Sequence, residues 1–181
     1  MALFSLFRER PEKVAATALY AAIVEQSRRP EYYSQMGVPD TLDGRFDILV
    51  LNASLPMRRL TGAGDRAAKV SQALFNLMFQ DMDQSLREMG VGDLIVPKRI
   101  KEMGEAFYGR ALAYDKALAE ADRTALAEAL TRNVFKGREA AGVNALAAYA
   151  QRAYRAVGMQ SIDDLCDGRI AFPEVSTDTA S

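Results

Sequence analysis

Residues 75–114, FNLMFQDMDQSLREMGVGDLIVPKRIKEMGEAFYGRALAY, decide the fold. They continue a run over residues 66–89 in which Val70, Leu74, Phe75, Leu77, Met78, Met82, Leu86 and Met89 recur at three- and four-residue steps. That spacing places them on one broad face of a long α-helix. Gly90 and Gly92 end it, since glycine takes the left-handed backbone that closes a helix without steric penalty. Pro97 pre-sets the start of the next helix, which carries Ile100, Met103, Phe107, Ala111, Tyr114 and Leu118 on its buried side. The connection is short, so the two helices are neighbours. The spacing predicts an all-α protein with the 66–89 helix at its centre.

Outward from this pair, the same signals repeat. Pro11 stands at the first position of a helix through Val14, Ala18, Leu19 and Ile23 that stops before Pro30. EYYSQMGVPD, residues 31–40, reads as a helical turn and a connector. Asp40 or Thr41 caps a helix burying Phe46, Leu49, Val50 and Ala53, and Pro56 predicts a kink or break after Ala53. TGAGD, residues 61–65, is a loop without the Lys-Ser/Thr ending of a phosphate-binding loop. Beyond the pair, Asp122 caps a helix with Leu126, Leu130 and Val134, closed by Gly137; another, with Val143, Leu146, Ala150, Ala153 and Tyr154, precedes Gly158. Ser161 and Asp164 form a capping-box pattern for a last short helix with Leu165, ended by Gly168. The expectation is a single-domain bundle of about six to seven helices over residues 11–172. Residues 1–10 are expected to be a flexible or surface-associating N-terminus, and residues 173–181 a disordered tail.

Composition excludes several function classes. Lys and Arg number 23 against 24 Asp and Glu, a net charge of −1, so no overall field holds DNA or another polyanion. Histidine is absent, which removes the commonest general base, the commonest zinc ligand and every Ser-His or Cys-His nucleophile pair. Cys166 is the single cysteine and supports neither a disulfide framework nor a thiolate cluster. The N-terminal stretch lacks the length and cleavage site of a secretory signal, and no segment has eighteen consecutive apolar residues. No catalytic residue, metal or cofactor is expected, and the chain is read as a non-enzyme.

Within the central stretch, Asp81 and Asp83 lie two apart and cannot share a helix face, so they are not read as a metal pair. Asp81 shares a face with Leu74, Leu77 and Ser85 and is expected to be partly buried in a structural ion pair with Arg99, Lys101 or Arg110. Lys98, Arg99 and Lys101 occupy a helix start, where the macrodipole disfavours cations. They either meet Asp93, Glu102 or Glu105, or form with Arg110 a basic rim for an anionic partner; the pairs Arg28-Arg29 and Arg58-Arg59 extend such a rim. Gly109, inside a helix between Tyr108 and Arg110, suggests a close helix crossing.

Three segments resemble the ubiquinol-cytochrome c chaperone family, the assembly factors of respiratory complex III, and occur in that family's order. They are GVPDTLDGRFDIL (residues 37–49), LFNLMFQDMDQSLREMGVGDLIVPKRIKEM (74–103) and AFYGRALAYDKAL (106–118). Asn52 departs from the family's pattern, which has histidine there, and Asn76 from its frequent aspartate. The resemblance implies an all-helical assembly factor whose client is newly made cytochrome b or an intermediate of complex III. Client segments would lie against a methionine- and aromatic-lined surface of Met82, Met103, Phe107, Tyr108 and Tyr114, with the basic rim engaging client, membrane surface or ribosome. A second assembly factor is a further implied partner. With no Arg- and Ser-rich transit segment, a bacterial cytoplasmic form, peripheral on the inner membrane, is expected. Two other classes stay open: a quinone or lipid binder with a cavity lined by Phe79, Met82, Met103, Phe107 and Tyr114, and a dimerising helical adaptor.

Overall fold

Between the charged ends of residues 42–60, Phe46, Ile48, Leu49, Val50, Leu51, Ala53, Leu55 and Met57 are spread round a helix's circumference, and such a helix is stable only when other elements cover it all round. In the computed structural model, which describes residues 10–138 and 140–177, this is what happens. The helices are α1 (Pro11–Ser27), α2 (Glu31–Ser34), α3 (Leu42–Leu60), α4 (Asp65–Glu88), α5 (Val96–Ala119), α6 (Arg123–Asn133), α7 (Val143–Met159) and α8 (Ile162–Cys166). Six are long and two, α2 and α8, are short turns. The expectations for residues 1–9 and 178–181 lie outside the described residues.

The chain packs around α3. One face of that helix, with Ile48, Leu51 and Leu55, joins Tyr114 of α5, Leu126 and Leu130 of α6, and Leu146 and Tyr149 of α7 in one core cluster. The other face, with Phe46, Val50, Ala53, Met57 and Leu60, joins Leu19 and Ile23 of α1, Leu74 and Met78 of α4, and Leu165 of α8 in a second. The centre is therefore α3 and not α4, as the sequence suggested. The buried stripe of α4 is narrow, Ala67, Val70, Leu74, Met78, Met82 and Leu86 at steps of three and four, and its other sides face water. Pro56 does not break α3, which runs on to Leu60.

Local signals account for most boundaries. Thr41 accepts a hydrogen bond from the Gly44 amide and Asp122 one from the Ala125 amide, so both caps form where the sequence placed them. Ser161 likewise accepts from the Asp164 amide while donating to its carboxylate. Gly158, expected beyond the end of α7, lies within its last turn. At Gly142 the Met36 carbonyl approaches so closely that a Cβ would overlap it, which fixes the α2 loop against the start of α7. Residues 173–177 are held further than expected of a mobile tail: Gln26 donates to the Pro173 carbonyl at 3.0 Å and Arg152 to Ser176 at 3.3 Å.

Two polar clusters form around α3 side chains that are buried in the core. Asp47 of α3, 0% exposed, receives Arg110 Nη2 of α5 and Lys136 Nζ at 2.9 Å each. Burial pushes its carboxyl up, and the Lys136 hydrogen bond and the Arg110 charge pull it back. Asn52, one turn and a residue further along α3, accepts from the Tyr149 hydroxyl at 2.8 Å and donates to Ser27 Oγ at 3.1 Å and Tyr32 at 3.4 Å. Gln26 donates to the same Tyr149 hydroxyl at 3.0 Å, and burial pushes that phenol up to about 12. Asn52 thus ties α1, α2, α3 and α7 together, because a carboxamide supplies both a buried acceptor and two donors.

At the surface, Arg66 pairs with Asp167, and Arg169 Nη2 meets Asp164 at 2.6 Å and Asp167 at 2.9 Å. Hydrogen bonds from Ser161, then Arg169, hold the Asp164 carboxyl below the usual range, and Arg66 does the same first for Asp167. A depressed carboxylate contributes stability at pH values above its unfolded value and loses it as pH falls through the lower folded value. Thermal melting should therefore lose stability below about pH 4, and a double Asp164→Asn, Asp167→Asn variant should show a shallower acid slope than the parent. Asp47→Ala should lower stability by about 3 to 5 kcal/mol in urea unfolding, since it leaves the largely buried Arg110 unpaired. A Cβ at Gly109 would meet open space, so the close crossing expected there is absent. Gly109→Ala should stabilise by up to about 1 kcal/mol, read as a raised melting temperature.

Candidate functional site: an open aromatic groove between α3, α4 and α5

The buried stripe of α5 packs inward, but Tyr108 and Leu112, one turn apart, lie off it and remain 63% and 73% exposed. They flank an open groove of about 760 Å³ between the second half of α3, the first half of α4 and the second half of α5. Its aromatic floor is continuous: the Phe75 ring lies 5.4 Å from Tyr108 and 5.6 Å from Phe107, centroid to centroid, with Phe79 4.6 Å beyond. Arg58 and Arg59 of α3 stand at one edge. Arg58 pairs with Asp115 and lies 4.9 Å over the Tyr154 ring, which holds its planar charge in place beside the apolar surface.

Chemically, the groove offers tilted and edge-on aromatic rings, the exposed Leu112 side chain and the paired Arg58 guanidinium. A second recess, about 170 Å³, lies near the other end of the same helices between α1, α3, α4 and α5 and includes Met82, Met103, Tyr20 and Asp81. The five client-surface residues do not form one patch. Phe107 and Tyr108 line the groove, Met82 and Met103 line the recess, and Tyr114 is fully buried in the core. The quinone cavity drawn from Phe79, Met82, Met103, Phe107 and Tyr114 is accordingly not formed as a single space.

The charged candidates also separate. Lys98 and Arg99 lie 4.0 and 3.8 Å from Glu102, and Lys101 lies 3.8 Å from Glu105, all loose pairs along α5. Arg110 is not on that rim; it is turned inward onto Asp47 and sits 5.3 Å from the Phe46 ring centre. Asp81 is exposed and takes its hydrogen bond from Tyr20 at 2.7 Å, in place of an ion pair with Arg99, Lys101 or Arg110. The face argument put Asp81 with Leu74, Leu77 and Ser85 and partly buried, but it lies exposed beside α1, whose Tyr20 reaches it. Burial first, and then Asp81, raise the Tyr20 phenol. Asp83 pairs with Arg87 at 2.6 Å, and Asn76 is exposed and accepts from Gln72 at 2.8 Å.

Leu112 and Phe75 were missed as site residues. The signal was present: Tyr108 and Leu112 form a second apolar line at a spacing of four, off the main stripe of α5. What the sequence did not supply was the α3 and α4 walls that turn this line into a groove.

Residues 34–172 match the family model of the ubiquinol-cytochrome C chaperone. Over 123 residues the chain is 30% identical to ubiquinol-cytochrome c reductase complex assembly factor 1 of Mus musculus and of Homo sapiens, and 28% identical to that of Xenopus laevis. These alignments cover 68% of this chain but 41% of the mouse and human proteins and 61% of the frog protein. The crystal structure of the Cbp3 homolog from Brucella abortus matches with a TM-score of 0.85 at 35% identity, over 96% of this chain and 97% of that one. With a family model spanning most of the sequence and a solved relative of the same helical architecture, the chain belongs to the ubiquinol-cytochrome c chaperone family.

Proposed function

We propose that this chain is a non-enzymatic assembly chaperone for ubiquinol-cytochrome c reductase, and that it holds an apolar segment of newly made cytochrome b in the groove between α3, α4 and α5. The observation that carries the proposal is the exposed Tyr108–Leu112 line beside the Phe75–Phe107 floor. Leaving these side chains in water forgoes about 1.5 to 3 kcal/mol for each large apolar group that a partner could cover. A membrane-protein segment awaiting its neighbours supplies the complementary apolar face. Arg58 and Arg59 at the edge suit the carbonyl-rich end or an acidic flank of such a segment.

Family membership and the named assembly factors among the relatives support complex III assembly as the setting. Work beside the inner membrane, on its cytoplasmic side, is the location that fits such a client, and no described helix is long and apolar enough to cross a membrane itself.

The groove is tested by introducing Leu112→Glu and Tyr108→Ser together and recovering cytochrome b with the tagged chain from cells making complex III. Both side chains are exposed, so circular dichroism and melting should stay unchanged. Loss of about 2 kcal/mol in client affinity, roughly thirtyfold, is expected if these residues are central contacts. Undiminished recovery of cytochrome b by the folded variant would remove the groove as the client site.

A further inference from the structure

The turn between α4 and α5 presents apolar side chains outward on a convex tip. Leu94 is 96% exposed and Ile95 55%, and Met89 at the end of α4 is half-exposed beside them. Isolated exposed apolar residues are ordinary on protein surfaces. Here, however, they are adjacent and are held out by a firmly built turn. Val96 and Leu86 on either side are buried, so both ends of the turn are anchored in the body. The Gly92 carbonyl accepts from the amides of Ile95 at 2.8 Å and Val96 at 3.1 Å, and Val91 donates back to Leu86 at 3.1 Å. Arg87 bridges Asp83 and Asp93 at 2.6 Å each, which neutralises the one acidic side chain inside the turn.

Charges of both signs lie beside the tip: exposed Glu88 at the end of α4 accepts from Gln84 at 2.8 Å, and three cations stand on the α5 side. Lys98, Arg99 and Lys101 follow the tip within the first two turns of α5, and no acidic residue lies in its first turn. Their partners Glu102 and Glu105 lie mostly deeper along the helix, at loose separations of 3.8 to 4.0 Å. Long cationic side chains directly behind an apolar point can reach back to phosphate groups while the point enters hydrocarbon. A protruding tip with a cationic collar suits a lipid interface, whereas a protein segment is better received by a concave surface such as the groove.

We propose that the α4–α5 turn is a membrane-docking tip: Leu94 and Ile95 insert into the interfacial region of a leaflet containing anionic lipid, and Lys98, Arg99 and Lys101 engage its headgroups. The tip lies at the N-terminal end of α5, about three turns before Tyr108, so docking through it does not use the groove residues. This deepens the membrane setting of the proposed function and requires no client, so each can fail without the other.

The full chain is mixed with vesicles of phosphatidylcholine alone or with phosphatidylglycerol, and binding is read by flotation. Binding is expected only with the anionic lipid and should fall on the order of tenfold or more in a folded Leu94→Ser, Ile95→Ser variant. A Lys98→Glu, Lys101→Glu variant should lose binding to the anionic vesicles. The chain has no tryptophan, so Leu94→Trp gives a single reporter whose fluorescence should be quenched by lipids brominated on their acyl chains. No vesicle binding by the parent, undiminished binding by either double variant, or an unquenched Trp in a vesicle-bound chain would overturn the proposal. The Leu112→Glu, Tyr108→Ser variant should bind vesicles like the parent.

Discussion

A helix buried along nearly its whole length constrains everything around it, and in this chain that helix is α3. Its apolar residues leave no solvent face, so α1, α4 and α8 must cover one side and α5, α6 and α7 the other. The cover also has to satisfy the two polar side chains that α3 carries inward. Asp47 draws Arg110 and Lys136 to it, and Asn52 draws Ser27, Tyr32 and Tyr149. Because a buried charge or amide is costly unless partnered, these contacts fix how α5, α7 and α1 rotate about α3. Apolar packing alone would leave that rotation much freer.

The rotation of α5 is what makes a groove. With Arg110 directed at Asp47 and Tyr114 in the core, the side chains at 108 and 112 are left facing outward beside the end of α3. The aromatic rings of α4 then complete the floor. The exposed groove is therefore a by-product of an ion cluster around buried Asp47, about half a helix turn away along α5. A residue needed for the fold, Arg110, had looked like part of a binding rim because its charge was visible and its burial was not.

The same helices place two different chemistries at their two ends. Near the α5 C-terminus lie the concave aromatic surface and the Arg58 edge; near its N-terminus lie the convex apolar turn and the lysines. If the groove holds a client and the turn docks, as proposed above, the two uses draw on different residues.

By itself the sequence determined the all-α class, nearly all the helices with their caps at Thr41, Asp122 and Ser161, and the family. These are local or ordered signals: capping hydrogen bonds span three residues, apolar periodicity spans a few turns, and the motifs stand in order along the chain. Asp81, Arg110, Tyr114, Gly109 and the centre of the bundle were decided by tertiary structure. Each depends on which helix lies across from it, and helical periodicity says which face is buried without saying against what. Tyr20 of α1 took the place expected for a cation at Asp81, and Asp47 of α3 took Arg110 from the surface. The groove belongs to the same class, because its walls come from three helices whose residues are far apart in the chain and meet only after α3 has been enclosed.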